Sequence, residues 1–429
     1  MSSMASDRIS RRALIVWLSA VLIYVMAITG RTSFGVAGVD AIERFGIDAS
    51  RVAVFTSVQL GVYALAQIPT GILVDRFGPR RLLVAGALVM AAGQILLGVT
   101  SSYGIAIGAR VLIGCGDATA FLSVMRLLPS WFPIRRTPVF TQLTGAIGQV
   151  GQFLSAVPFL ALLGASGWTT AFVSLGAAGA LVALAGALVV RDTPVREPQV
   201  AAVGASISGG RILDNLRLVV TSPYCWQGLF THWTNMFPLV VFQLLWGMPM
   251  MTLGLGLSTA QVGMVLTLST IGNVIGGPFA GITSARLGRR RDAFALGTAV
   301  LQALLWTYLF FPATPHGNAF LAAAVVSFFA GMIVPAANFG FDTVRERVDR
   351  SLNATGTGFA NMGGFSAAML STQLLGLLLD RHSHGQAYAW ADFRYAWLAV
   401  LVVWLLGIIG YAICLLIVSR HQRPRPRVV

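Results

Sequence analysis

The sequence GILVDRFGPRR, at residues 71–81, recurs in a weaker form as GITSARLGRRR at residues 281–291, 210 positions later. Each copy follows an apolar run, and each run begins after a stretch typical of a helix start, IDASRV at 47–52 and LSTAQV at 257–262. The second of these stretches has the Ser-x-x-Gln spacing of a capping box. Because the same elements occur twice in the same order, we predict a chain built from two similar halves.

The composition is that of a membrane protein. Of the 429 residues, 56% are hydrophobic and 10% are charged, and the mean hydropathy is +0.76. Soluble domains carry about 25% charged residues. The apolar residues fall in many runs of about 18 or more, each long enough to cross a hydrocarbon core about 30 Å thick as a helix. The short alternating segments of a membrane β-barrel are absent from the sequence. We therefore predict an all-α membrane protein.

We predict twelve transmembrane helices in two bundles of six. Residues 1–190 are assigned to the N-terminal bundle and residues 224–418 to the C-terminal bundle. Residues 191–223 form a predicted cytoplasmic loop that is first rich in Pro, Gly and Ser and then, at ILDNLRLVV, has the spacing of a surface helix. Residues 419–429 form a basic tail. The predicted spans are 13–37, 51–74, 82–100, 104–129, 138–162, 168–190, 224–251, 260–284, 292–312, 317–341, 354–379 and 393–418.

The distribution of arginine predicts the orientation. All 30 basic residues are arginines. With the N-terminus inside, 23 of them lie in cytoplasmic segments, and the outer loops hold only Arg44, Arg51, Arg381 and Arg394. Basic residues concentrate on the cytoplasmic side, so both termini are expected in the cytoplasm of a bacterium, with the chain in its inner membrane. A nucleic-acid-binding protein would gather its arginines on one face or arm, so the net charge of +15 does not indicate a nucleic-acid partner.

The first copy of the repeated stretch resembles the signature loop of the major facilitator superfamily, between its second and third helices. The second copy lies between the eighth and ninth predicted helices, where that family also has one. The resemblance covers the whole chain and implies two bundles related by a pseudo-two-fold axis, alternating access, and an inner gate held by the loop. The implied gating residues are Gly71, Asp75, Arg76, Gly78, Arg80 and Arg81 in the first copy and Gly281, Arg286 and Gly288 in the second.

This sequence departs from the family pattern at two loop positions. Pro79 replaces a residue that is usually basic, and Ala285 replaces the acid of the second copy. The gating role is therefore expected to depend mainly on the first half. The alternative for Asp75 is an acid of a solvated loop.

Ionisable side chains inside the spans are the main candidates for function, because a charge in hydrocarbon is costly. Arg31 lies in the outer third of the first span. Arg110 and Asp117 lie two helical turns apart on one face of the fourth span, where the alternative to a function is a static pair that neutralises both. Arg126 lies near the cytoplasmic end of the same span, where its side chain can extend to the headgroups.

Two of these charges occur in recognisable contexts. RTSFGVA at residues 31–37 and RVLIGCGD at 110–117 resemble the first and fourth helices of the anion:cation symporter family, which includes sialin and the vesicular glutamate transporters. The resemblance implies that Arg31 and Arg110 bind an anionic substrate and that Asp117 carries a coupling proton. A guanidinium suits this task, since it can donate two parallel hydrogen bonds to a carboxylate.

Three further polar residues are weaker candidates. Tyr24 is seven residues before Arg31 on the same helical face, and Asn361 lies in the eleventh span, so both are predicted substrate contacts. His232 is a predicted second proton carrier, because an ordinary histidine titrates near neutral pH. Hydrogen bonds between helices are the alternative for each of them.

The preferred hypothesis is proton-coupled symport of a small organic anion by a monomer in the lipid bilayer, without cofactor or metal. Drug efflux in exchange for protons and transport of inorganic anions such as nitrate are the alternatives within transport. The glycine-proline signature of drug antiporters is absent from the fifth span, where the first proline after its start is Pro158. A receptor on the same scaffold is a further alternative. An enzyme is disfavoured, because the sequence has no P-loop, metal cluster or nucleophile-base arrangement.

Overall fold

Helices make up all of the regular structure among the described residues. The computed structural model describes residues 9–47, 49–194, 209–384, 386 and 388–421. Its α-helices, in chain order, are α1 (Arg11–Val36), α2 (Gly38–Phe45), α3 (Ala49–Phe77), α4 (Pro79–Val99), α5 (Tyr103–Trp131), α6 (Thr137–Leu154), α7 (Leu160–Val189), α8 (Gly209–Thr221), α9 (Pro223–Val241), α10 (Gly247–Pro249), α11 (Thr259–Leu287), α12 (Arg291–Phe310), α13 (Ala319–Ile333), α14 (Phe339–Arg347), α15 (Asn353–Ser383) and α16 (Trp390–His421).

The helices account for the twelve predicted spans. Within the described residues, ten helical segments are long and apolar enough to cross a membrane, and a bent pair, Pro223–Leu244 and Gly247–Gly254, adds an eleventh. One of the ten, Thr137–Val189, has 53 residues, which is about 80 Å of helix and more than twice the hydrocarbon thickness. Its backbone leaves the helical region at Gly167, where φ is 76° and ψ is 174°. Gly167 therefore divides this segment into the predicted fifth and sixth spans.

Local widening of the helices accommodates proline in two of the spans. Ser155–Phe159, between α6 and α7, is a π-helical turn that contains Pro158. Phe242–Trp246, between α9 and α10, is a second such turn, four residues after Pro238. Proline has no N–H for the helical ladder, and a π-turn is one of the ways in which a helix absorbs that loss.

The helix start predicted at 257–262 is confirmed. The Ser258 hydroxyl accepts a hydrogen bond from the Gln261 N–H at 3.3 Å, and the Gln261 side chain accepts one from the Ser258 N–H at 3.0 Å. These two bonds are a complete capping box. The matching start at 47–52 lies partly outside the described residues.

The contacts group the described residues into two compact units. Unit 1 contains the residues up to Leu216 together with Arg350–Gly358, and unit 2 contains Arg217–Asp349 and the residues from Phe359 onward. The sequence did not anticipate that the first turns of α15 would belong to unit 1. The helix expected at the end of the central loop is α8. Residues 195–208 of that loop and residues 422–429 of the tail lie outside the described residues.

Both units expose apolar side chains and pack through small ones. Leu65, Leu188 and Phe311, for example, are each about three-quarters exposed, which suits a surface solvated by lipid. In unit 1, α4 and α5 cross at Gly86 and Gly116, and a Cβ on Gly116 would overlap the Gly86 carbonyl oxygen. Small residues at such crossings let helix backbones approach closely in a membrane.

Candidate functional site

Arg31 of α1 and Asp117 of α5 form a two-pronged ion pair in unit 1. The Arg31 Nε lies 2.6 Å from Asp117 Oδ2, and Nη2 lies 2.8 Å from Oδ1. The Asp117 side chain has no exposed area and that of Arg31 is 19% exposed. The guanidinium also lies over the Tyr63 ring, 4.6 Å from its centroid. The predicted anion-binding arginine and the predicted proton carrier are therefore bound to each other.

Arg110 is not paired with Asp117 but lies against an aromatic ring. Its guanidinium carbon is 4.8 Å from the centroid of Phe34, and the residue is 1% exposed. Its Nε and Nη1 atoms have no hydrogen-bond partner among the described residues. The alternative of a static Arg110–Asp117 pair is therefore wrong, because Asp117 pairs with Arg31 instead and no ion pair joins it to Arg110 among the described residues. A buried guanidinium with unpaired N–H groups is chemically suited to an anion, since leaving it unpaired is costly.

Tyr24 is packed rather than open. Its ring lies 5.6 Å from that of Phe121. A Cβ placed on Gly148 of α6 would come within 2.6 Å of the Tyr24 ring. The glycine therefore makes room for the tyrosine between α1 and α6. A direct contact of Tyr24 with substrate stays a prediction.

Asp75 at the end of α3 binds the start of α15, and both belong to unit 1. Its carboxylate accepts hydrogen bonds from the Ala354 N–H at 3.0 Å and from the Thr355 N–H and hydroxyl at 2.8 Å each. A helix N-terminus favours such an anion. Close approach is possible because residue 71 is glycine, where a Cβ would lie 2.6 Å from the Thr355 Cα. Asp75 is thus a helix cap and not an acid of a solvated loop.

Arg126 completes this cluster. Its Nε lies 3.2 Å from Asp75 Oδ1, and its side chain is 24% exposed. The expectation that Arg126 extends to the headgroups is therefore wrong in this structure. The Asp75 carboxylate of the neighbouring helix α3 offers Arg126 a charged hydrogen-bond partner within direct reach.

Other residues of the first repeated stretch, residues 71–81, bind the end of α7 and the residues after it. The Arg80 N–H donates to Asp192 Oδ1 at 2.8 Å, and the Arg80 Nη2 donates to the Ala187 carbonyl at 2.6 Å. Gly78 has φ 86°, and a Cβ there would lie 2.7 Å from Asp192 Oδ2. Both its backbone conformation and its surroundings therefore favour glycine. Arg76 and Arg81 are exposed.

The second repeated stretch, residues 281–291, lacks the acid of the first, and an acid of another helix lies there instead. Asp342 of α14 is 1% exposed and accepts hydrogen bonds from Ser284 Oγ at 2.5 Å and Arg345 Nη1 at 2.6 Å. Arg291 lies 3.5 Å from the same carboxylate and donates to Glu346 at 2.6 Å. The buried arginine of this copy is therefore Arg291.

Of the residues predicted in the second copy, Gly281 is buried, Arg286 is exposed and Gly288 is exposed with φ 50°.

The two polar residues predicted in the second half lie in unit 2. His232 is 3% exposed, and its Nδ1 accepts a hydrogen bond from the Gly364 N–H at 3.2 Å. Its ring packs against Phe341 at 4.9 Å. No ion pair of His232 occurs among the described residues, so its role in proton transfer stays a prediction. Asn361 of α15 is also 3% exposed, and its role as a substrate contact likewise stays a prediction.

Comparison with known proteins gives the family. A family profile described as the Major Facilitator Superfamily matches residues 20–255 and 229–429. The chain belongs to the Major Facilitator Superfamily. It is thus a membrane transporter and not an enzyme. The all-α membrane fold predicted from the sequence is confirmed.

Named members of the superfamily are similar along most of the chain. A probable sulfoacetate transporter of Cupriavidus necator is 25% identical over 87% of this chain and 89% of its own length. A probable galactarate/D-glucarate transporter of Escherichia coli is 23% identical over 67% of this chain and 70% of its own length. A solved bacterial homolog of the human lysosomal transporter Spinster is 17% identical, with a TM-score of 0.59 over 97% of this chain and 99% of that one. At that identity the structural likeness concerns the fold alone.

The residues of these major facilitator clusters that were not predicted include Tyr63, Thr355 and Arg291. Thr355 contacts Asp75 across 280 positions of sequence, and nothing in the local sequence indicates such a partner. Tyr63 is one aromatic residue among many in apolar spans. The sequence did indicate Arg291, because it is the last residue of the second repeated stretch. The prediction named Arg286 of that stretch instead.

We predict that Asp75→Asn slows transport about tenfold while substrate affinity stays within about threefold. The amide keeps the shape of the side chain but loses the charge that caps α15 and pairs with Arg126, which is worth about 1–2 kcal/mol. Turnover and half-saturation in proteoliposomes measure the two effects. The exposed acid Asp214 provides the control variant Asp214→Asn, which should transport normally. Loss of substrate binding by a folded Asp75→Asn protein would instead assign Asp75 to the substrate site.

Proposed function

We propose that this transporter is a proton-coupled symporter of a small organic anion that works by alternating access as a monomer. The observation that carries the proposal is the two-pronged pair of Arg31 with the fully buried Asp117. The relatives named above support the substrate class, since sulfoacetate, galactarate and glucarate are small organic anions.

The pair provides a physical route to coupling. While Asp117 is ionised, it occupies the two donors of Arg31 that a substrate carboxylate or sulfonate requires. Protonation removes the charge of Asp117 and weakens its hold on Arg31, because charged hydrogen bonds are roughly twice as strong as neutral ones. A substrate anion then takes the guanidinium. Proton and anion therefore bind together, and release of the proton re-forms the pair and expels the anion.

Arg110 extends the site to a second anionic group. Among the described residues of unit 1, two cations lie deep in the spans, Arg31 and Arg110, and one carboxylate, Asp117. A substrate with two negative groups, entering with one proton on Asp117, leaves no net charge among these groups and the substrate. A substrate with one negative group leaves a cation uncompensated, which is costly away from water. The site is therefore best suited to short dianions, with Arg31 and Arg110 each holding one group.

Uptake into proteoliposomes tests the proposal. The purified full-length protein is reconstituted, and entry of labelled sulfoacetate, galactarate, nitrate and a cationic drug is measured with and without an inwardly directed proton gradient. We expect the gradient to accelerate entry of an organic anion and to leave the cation unaffected. Uptake of nitrate alone, or proton-driven movement of the drug, would overturn the proposal in favour of the corresponding alternative.

We propose further that the protein lies in the bacterial inner membrane with both termini in the cytoplasm. The arginine asymmetry supports this orientation. Ser101 and Ile134 are exposed residues of the α4–α5 and α5–α6 connections, which the orientation assigns to opposite sides. In a background without Cys115, Cys225 and Cys414, a cysteine at Ser101 should react with an impermeant thiol reagent in intact cells. A cysteine at Ile134 should react only after permeabilisation, and the reverse pattern would refute the orientation.

A further inference from the structure

Unit 2 contains a cavity of about 350 Å³ where α12 ends and α16 begins. It is distant in sequence from every residue of the proposed transport site. Its walls include Phe310, Trp397, Leu398 and Leu401. A volume of this size is within the range of small-molecule sites. The cavity therefore has room for a ligand or for part of one.

The polar side of this cavity carries a fixed cation. Arg394 donates from Nε to the Phe310 carbonyl at 3.2 Å and from Nη2 to the Phe311 carbonyl at 2.8 Å. These bonds hold its guanidinium at the cavity wall.

Arg394 is the cation at this end of the cavity, and the nearby Asp392 carboxylate is paired with His382. His382 also lines the cavity, and its Nδ1 lies 2.5 Å from Asp392 Oδ1. Asp392 is engaged further by the Ala389 N–H at 2.8 Å. Among the described residues that line the cavity, none is acidic. The Arg394 guanidinium is therefore complementary to an anionic group.

The apolar side of the cavity continues onto a lipid-facing surface. Leu398 of α16 is 48% exposed, and Val402, Leu405 and Ile409 of the same helix are each more than half exposed. From Arg394 to Leu401, α16 rises about 10 Å. This is comparable to the distance from a phospholipid phosphate to the upper part of its acyl chains. Along α16 the cavity thus has a cation followed by an apolar wall, which matches the order of phosphate and acyl chain in a phospholipid.

We propose that this cavity binds an anionic phospholipid from the leaflet into which it opens. The phosphate lies beside Arg394, and one acyl chain lies along Leu398 and Leu401. Basic residues beside apolar grooves recognise anionic headgroups in this way. The site is separate from the Arg31–Asp117 pair, so the proposal does not depend on the transported substrate.

Native mass spectrometry of the full-length protein tests the proposal. The detergent-purified protein is titrated with phosphatidylglycerol or with phosphatidylcholine of the same acyl chains. We expect one tightly bound phosphatidylglycerol with at least about tenfold preference over phosphatidylcholine, a difference that corresponds to one charged contact. Equal retention of the two lipids would overturn the proposal, because the headgroup charge would then not be recognised.

Two matched variants locate the site. Leu401→Trp should fill the cavity and weaken retention of phosphatidylglycerol by about tenfold or more. Leu405→Trp, one turn further along α16 and outside the cavity, should retain the lipid like the parent. Retention by both variants, or loss from both, would refute the assignment to this cavity. Displacement of the lipid by inorganic phosphate at equal concentration would also overturn it, since the site would then bind a free anion.

Discussion

Arg31→Ala is expected to reduce uptake of the organic anion by about 100-fold or more, because two charged hydrogen bonds to the substrate are lost and each is worth about 1.5–3 kcal/mol. The initial rate per amount of reconstituted protein measures the effect. Arg31→Lys keeps the charge but not the two parallel donors, so it should recover only part of the rate. Arg381 is exposed, and the control Arg381→Ala should transport normally.

The same variant is also expected to be less stable, since it leaves the fully buried Asp117 without its partner. Removing one member of a buried pair costs about 3–5 kcal/mol. The double variant Arg31→Ala/Asp117→Asn removes the stranded charge and should recover thermal stability without recovering transport. Recovery of both would mean that Arg31 serves only the fold. Transport at the parental rate by Arg31→Ala would remove the main support for anion binding.

Asp117→Asn is expected to separate anion movement from proton movement. Asparagine has nearly the shape of aspartate but neither binds nor releases a proton. Arg31 is then available at every pH, so exchange of internal for external anion should continue. Accumulation driven by a pH gradient should fall about tenfold or more, which corresponds to a loss of at least about 1.4 kcal/mol of coupling. Counterflow and gradient-driven uptake into the same proteoliposomes measure the two processes.

The exposed residue Asp40 of α2 supplies the matched control, and Asp40→Asn should leave both processes unchanged. The coupling hypothesis fails if Asp117→Asn still accumulates anion in response to the gradient. In that event His232 is the next residue to replace, because it is the other predicted proton carrier.

Most of the fold could be predicted from the sequence, because in a membrane protein the length of each apolar run indicates a membrane-spanning helix. The twelve spans follow from those runs, and the capping box at Ser258 follows from residue spacing alone. The break at Gly167 could be located only as a gap between two runs, since φ at a glycine is not encoded in hydropathy. The π-turn at Ser155–Phe159 was missed, because Pro158 is equally compatible with a kinked α-helix.

The candidate site was less accessible, because it depends on which helices touch. Arg31, Asp117 and Asp75 could be singled out as charges in costly places. From the sequence, the partner considered for Asp117 was Arg110 of the same helix. In the structure its partner is Arg31, which belongs to a different helix. The cap that Asp75 places on α15 joins residues 280 positions apart. Periodicity within one helix carries no information on such a contact.

The surplus of one deep cation in unit 1 has an electrical consequence. Without substrate, Arg31 and Asp117 neutralise each other, and Arg110 leaves the site with a charge of about +1. In an inside-negative membrane, a full elementary charge that crosses the field changes energy by about 2.3 kcal/mol per 100 mV. In the proposed alternating-access cycle, reorientation of the empty site therefore senses part of the membrane voltage, whereas a site loaded with a dianion and a proton does not. The voltage thus acts on the return step of the cycle and holds the empty site toward the cytoplasm.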